Sequence, residues 1–221
     1  MMKQMRRSRD LGIGGIMARW YDKNTRNHRL EEMKEYAKEV AKHVQTGDSI
    51  LEVAPGPGYF AIELAKLGKF KIIGIDISQD FVEIARRNAR EARVDIEFQQ
   101  GNVSSIPFRD NNFDCIFCSA AFKNFREPSI ALDEMYRVLR PGGTVLIVDM
   151  NRNVSDQQIS ESIKKSGEKG IEALFLKLSF KYFLKRGAYT EGEFINLIAK
   201  TKFKSYEIKE RNIGFYIYLR K

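Results

Sequence analysis

The chain is poor in the residues that build metal centres, cross-links and membrane spans. Of 221 residues, two are cysteine, two histidine, five proline and one tryptophan. The histidines, His28 and His43, have no cluster of cysteines or acids near them in sequence, so no catalytic metal set is expected. The cysteines, Cys115 and Cys118, stand in Phe113-Asp114-Cys115-Ile116-Phe117-Cys118 and look like a CxxC pair. On a strand, residues three apart point to opposite faces, so these two neither bridge nor chelate readily. Buried core thiols are expected in place of a redox or metal pair. No apolar run reaches the ~18–20 residues that span a bilayer. The N-terminus is basic, yet Leu11–Ala18 is short, glycine-rich and followed by Arg19, which does not fit a secretory signal. A helical N-terminal arm or cap over residues 1–28 and a cytoplasmic location are the expectations.

What is present suits one α/β domain. Hydrophobic residues make up 43% of the chain and charged residues 30%, the balance of a globular protein with an ordinary core. The net charge of +9 is unevenly placed. Residues 1–29 hold eight basic and two acidic residues, residues 30–150 fifteen and nineteen, and residues 151–221 fifteen and eight. The surplus therefore lies outside the middle of the chain. It suits an anionic substrate, RNA or a membrane surface, or simply a solvated basic exterior.

Periodicity sets out the elements. Leu30, Met33, Tyr36, Ala37, Val40, Ala41 and Val44 recur at helical spacing over 29–44. Ser49–Ala54, Phe70–Asp76, Asp95–Gln99, Phe113–Cys118 and Thr144–Asp149 read as strands. Between them lie helices over Gly58–Leu67, after a Ser78 cap, and from Pro128. Strands alternating with helices give a mostly parallel Rossmann-like sheet with helices on both faces, and ligands beyond the strand C-termini. After Asp149 the pattern changes. Residues 151–190 read as a basic helical lid, followed by a helix capped by Thr190 and two strands, Ser205–Lys209 and Gly214–Leu219, whose short link favours an antiparallel pair. The cofactor core is then residues 29–150, within a single domain of seven strands.

The loop between the first strand and its helix carries the chemistry. Gly56-Pro57-Gly58-Tyr59-Phe60-Ala61 matches the G-x-G-x-x-A form of a dinucleotide fingerprint, with Asp76 placed to hold a ribose. Taken alone this match is weak. Glu52 at the strand tip puts a negative charge beside the site, which disfavours a pyrophosphate and favours a ligand with ammonium and sulfonium groups. S-adenosylmethionine is such a ligand.

Four motifs in order resemble the class I S-adenosylmethionine-dependent methyltransferases, over roughly residues 36–150. Glu52-Val53-Ala54-Pro55-Gly56-Pro57-Gly58 is similar to the family's E/D-x-G-x-G-x-G, with Ala54 for the first glycine, a small departure if φ there stays negative. Gly74-Ile75-Asp76-Ile77-Ser78 is the second. The third is Gly101-Asn102-Val103, with Asn102 where the family usually has Asp. Leu132–Gly143 is the fourth. The branch most resembled includes the ubiquinone and menaquinone biosynthesis methyltransferases. The resemblance implies cofactor contacts from Tyr21, Glu52, Ala54, Pro55, Gly56, Gly58, Asp76, Ile77, Asn102, Val103 and Ser119. Asp76 would accept from the ribose hydroxyls, Asn102 from the adenine amino group, and Ile77 would flank adenine.

The acceptor is less legible. Strand four runs into Ser119-Ala120-Ala121-Phe122, not the (D/N)-P-P-(Y/F) that family members acting on amide or exocyclic amino nitrogens often carry. That points to a small-molecule acceptor with an O, C or S nucleophile. Phe122, Phe175 and Tyr182 are the candidate acceptor contacts, and His28 is the nearest candidate base, with no catalytic residue assigned. Other readings stay open: an RNA methyltransferase using the basic flanks, a non-catalytic cofactor-binding protein, and, more distantly, a dinucleotide-dependent oxidoreductase. Neither the oligomeric state nor the acceptor can be read from the sequence.

Overall fold

A computed structural model describes residues 12–165, 170, 177 and 185–221. Its centre is a seven-stranded sheet in the order β3-β2-β1-β4-β5-β7-β6. The strands are β1 (Ser49–Val53), β2 (Lys71–Asp76), β3 (Glu97–Gln100), β4 (Phe113–Ser119), β5 (Leu139–Met150), β6 (Ser205–Arg211) and β7 (Gly214–Arg220). Strands β1 to β5 pair in parallel, and β7 runs antiparallel between β5 and β6. The chain order reverses between β1 and β4, so the crevice at that switch point opens beyond the C-terminal ends of β1, β2 and β4.

Burial on both faces explains why these strands are nearly continuous apolar runs. One face is covered by α2 (Leu30–Ala41), α3 (Tyr59–Ala65) and α4 (Gln79–Ala92). There Tyr36, Val40, Phe60, Val82 and Ala85 pack on Ile50, Phe117 and Leu146. Phe60 and Phe117 stack with ring centroids 3.8 Å apart. Burying one such ring contributes about 1.5–3 kcal/mol. The other face is covered by α5 (Pro128–Val138) and α7 (Glu191–Ile198), where Leu132, Met135, Phe194 and Ile198 meet Ile116, Val145 and Ile217. Cys115 lies in the first of these cores and Cys118 in the second, both buried and free, as the strand alternation requires.

Local signals account for the helix ends. The Ser78 side chain accepts from the Phe81 N–H, and Thr190 forms a full capping box with Glu193. The N-terminal cap is a regular helix, α1 (Gly15–His28), broken from α2 only at Arg29. Of the expected lid, α6 (Asp156–Lys165) is helical. Its Ile159 and Ile163 pack with the preceding Val154 onto Met150, Ala188 and Ile213. Phe175 and Tyr182 lie outside the described residues.

Candidate active site

A cavity of about 1790 Å³ opens at the switch point. Ligand pockets commonly occupy about 300–1,000 Å³, so this one has room for two ligands side by side. Tyr21, Ala54, Gly56, Asp76, Ile77, Asn102, Val103 and Ser119 line it. Residues of α2, the start of β7 and α6 line the same cavity, among them Glu35, Tyr36, Gln158, Gly214 and Tyr216.

The glycine loop is built by backbone geometry. Gly56 has φ 55° and Gly58 φ 79°, and Gly58 caps α3. A Cβ at Gly58 would meet Phe98 at 2.8 Å and Ala85 at 3.0 Å, so the residue is required by helix packing as well as by its dihedral. Gly58 and Pro55 are buried and are not among the cavity-lining residues. The expectation of a negative φ at Ala54 is overturned, because Ala54 sits at φ 55°, in the left-handed region that the family's glycine occupies freely. Its N–H is nonetheless held by the Ile75 carbonyl at 2.8 Å. The left-handed conformation costs a residue with a Cβ about 1–2 kcal/mol.

Two carboxyls meet behind this loop. The Asp76 carboxylate accepts from the Gly56 N–H at 3.0 Å and the Ser78 N–H at 2.9 Å. It is 6% exposed and lines the cavity. Burial pushes its pKa up, against the pull of those two N–H groups. Glu52 is buried more deeply and is not among the lining residues. Burial pushes its carboxyl up to about 8; the Ala61 N–H opposes this and the Asp76 charge adds to it. The Glu52 Oε2 has no hydrogen-bond partner. Asn102 lines the cavity, but its Oδ1 accepts from the Ser104 N–H at 2.9 Å, closing a local turn. One lone pair on that oxygen remains.

Phe122 requires a correction. Expected to touch an acceptor, it is completely buried and does not line the cavity. Its ring packs against Phe125, Tyr189 and Phe194 with centroids 5.3 to 5.8 Å away. The 3-10 turn Phe122–Asn124 directs this side chain into the core under the β4 end. The neighbouring Lys123 faces the cavity and is paired with Asp149 at 2.9 Å, while its Nζ also donates to the Ala120 carbonyl at 2.7 Å.

Sequence reasoning missed two polar networks that fix the N-terminal cap. In the first, buried Asp22 accepts from the Tyr59 hydroxyl at 2.8 Å, the Asn88 amide at 3.0 Å and Arg87 at 2.8 Å. The Asn88 amide also donates to the Pro57 carbonyl at 3.0 Å, which ties α1 to the glycine loop. The available signal was Asn88 itself, a polar residue seven positions after Phe81 and four after Ile84 on an apolar helix stripe. In the second, Arg29 donates to Glu32 at 2.6 Å and to the Tyr21 hydroxyl at 2.9 Å, and the Tyr36 hydroxyl donates to Glu32. Burial works against the charge on Arg29, but Glu32 and Tyr21 outweigh it and hold the guanidinium above its ordinary value. For Glu32, burial is likewise outweighed by Arg29, which lowers its pKa. Tyr21 thereby stands over the loop, its ring 5.7 Å from Phe81 and its Cε1 3.7 Å from where a Gly56 Cβ would lie. His28 also lines the cavity.

This arrangement of strand ends, glycine loop and sheet order is that of the class I, Rossmann-like methyltransferases. Residues 51–147 match the family model described as a methyltransferase domain. A demethylmenaquinone methyltransferase of Deinococcus radiodurans is 36% identical over 101 residues, covering 45% of this chain and 42% of that protein. A ubiquinone/menaquinone biosynthesis C-methyltransferase of Haemophilus ducreyi is 32% identical over 117 residues, covering 51% and 45%. The matches thus span less than half the length of these curated relatives. Among solved structures, a Methanococcus maripaludis chain assigned as an S-adenosyl-L-methionine-dependent methyltransferase superposes with a TM-score of 0.75 at 26% identity, covering 92% of this chain and 91% of that one. An Aquifex aeolicus SAM-dependent methyltransferase, at 20% identity and TM-score 0.65, shares the fold and covers 89% and 91%. Residues 51–147 thus resemble a methyltransferase domain, and the chain shares its fold with S-adenosylmethionine-dependent methyltransferases.

Proposed function

We propose that the chain transfers a methyl group from S-adenosylmethionine to a small-molecule acceptor at a carbon, oxygen or sulfur nucleophile. The observation that carries this reading is a single shared cavity. The residues expected to hold the donor and the unassigned surface between α2, β7 and α6 face one cavity. The residues present suit this cofactor. Asp76 keeps free lone pairs for ribose hydroxyls, and its carboxylate puts a negative group on the cavity wall for a cationic cofactor. Bound there, the cofactor supplies an electrophilic methyl group.

The protein's part is then to align and desolvate. Gly56 admits close approach, and Tyr21, held by Arg29, covers the loop. Ser119 lines the same cavity. Such positioning contributes several kcal/mol to a displacement reaction. The quinone-methylating relatives suggest a carbon nucleophile on an aromatic ring, and the tyrosines Tyr36 and Tyr216, with centroids 5.9 Å apart, offer stacking surfaces for one. Calorimetry with S-adenosylhomocysteine against NAD tests the donor. Asp76→Ala should weaken S-adenosylhomocysteine binding at least about tenfold, the loss of charged hydrogen bonds. Tighter binding of NAD would refute the reading. A screen of quinol, phenol and thiol acceptors, read as S-adenosylhomocysteine release, tests the acceptor class.

A further inference from the structure

The outer face of α1 is not absorbed by the site. Three large apolar side chains of this helix are exposed there, Ile16 at 83%, Met17 at 60% and Trp20 at 52%, with Ile13 at 45% just before it. Single exposed apolar residues are ordinary, but Ile16, Met17 and Trp20 stand at i, i+1 and i+4, on one side of the helix. The inner face of the same helix is fastened. Ala18, Asp22 and Thr25 are buried, the Ser78 hydroxyl donates to the Ile13 carbonyl, and the Gly15 N–H donates to Asp80. The exposed side therefore cannot turn inward without breaking the Asp22 network. Arg19 and Lys23 are exposed beside it. Residues 1–29 as a whole hold eight basic and two acidic residues. Ile13 and Trp20 also line the cavity.

We propose that α1 docks the protein on an anionic lipid bilayer. Ile16, Met17 and Trp20 enter the headgroup–acyl boundary, and Arg19 and Lys23 pair with lipid phosphates. An apolar helix face flanked by cations binds in this way, lying in the interface plane. The charge balance selects this occupant over a second copy of the chain, whose α1 face would bring the same positive charges together. Because Trp20 is both exposed on the helix and part of the cavity lining, docking places that side of the cavity against the bilayer, where an apolar acceptor partitions.

Trp20 is the chain's one tryptophan, so its emission reports docking directly. The full chain is titrated with phosphatidylcholine vesicles, with and without phosphatidylglycerol. The expected result is a shift of emission to shorter wavelength and quenching by brominated lipid, only with the anionic vesicles. Binding should weaken at least about tenfold as salt shortens the Debye length. Replacing Ile16 and Met17 by Asp should reduce vesicle binding at least about tenfold, read by co-sedimentation, while S-adenosylhomocysteine affinity stays unchanged. No shift with anionic vesicles overturns the proposal. So does equal binding to neutral vesicles, or a lipid-free shift that tracks dimer formation in sedimentation. None of these readouts needs methyl transfer, so failure here is distinct from failure of the proposed reaction.

Discussion

Replacing Glu52 by Gln should make the protein more stable at neutral pH and remove much of its pH dependence. The carboxyl is buried with one oxygen unpartnered, and its pKa is raised from 4.5 to about 8. In the unfolded chain it ionises at its ordinary value. Between these two values the folded chain holds a proton that the unfolded chain has released, so stability falls as pH rises through this window. The contribution is nearly neutral below the unfolded value and reaches its full cost above the folded one. From pH 5 to pH 7 the loss amounts to about 2–3 kcal/mol, or roughly 5–10 °C in Tm for a domain of this size. Gln keeps the acceptor for the Ala61 N–H and cannot ionise. The assay is thermal unfolding of both proteins without cofactor across pH 5 to 8. Asp76 is shifted in the same direction and contributes equally to both, so the difference between the two curves isolates Glu52. A Tm difference that stays flat across this range would refute the reasoning.

Ala54→Gly should raise Tm by a few degrees, because relief of about 1–2 kcal/mol of left-handed strain exceeds the flexibility that glycine adds to the unfolded chain; a lower Tm in a calorimetric scan would contradict this. Asn88→Ala removes the link between Asp22 and the Pro57 carbonyl, and should cost about 1–3 kcal/mol. It should also weaken S-adenosylhomocysteine binding several-fold through the loosened loop, and unchanged affinity beside lost stability would show that the network is structural only. Phe122→Ala should cost about 3–5 kcal/mol in urea melts as a core cavity; a cost below about 1 kcal/mol would place the ring outside the core.

The residues of the candidate site differ in how far they could be read in advance. Gly56 and Asp76 could be read from the glycine loop and the strand pattern, whereas Ile77, Asn102, Val103 and Ser119 were given only by the family resemblance; all six line the cavity. Tyr21 was placed only by resemblance, since α1 reaches the site through contacts with α4, Tyr59 and α2 that are distant in sequence. Phe122 misled because a turn of one residue decides whether a ring at a strand end faces cavity or core. Ala54 misled because the left-handed dihedral belongs to the loop as a whole, not to the residue that occupies it.

The strand–helix alternation, the glycine loop, the caps at Ser78 and Thr190 and the opposed cysteines are local consequences of spacing and side-chain chemistry, and the sequence by itself determined them. The cavity lining from α2, β7 and α6, the Asp22–Asn88 clamp and the exposed face of α1 depend on which distant faces meet. Each is decided by packing between elements tens of residues apart, where burial sets the cost of every unpaired polar group and leaves only arrangements that satisfy nearly all of them. Glu52 shows the difference most plainly: its place at the strand tip was readable, while its lack of a partner is a property of the packed interior.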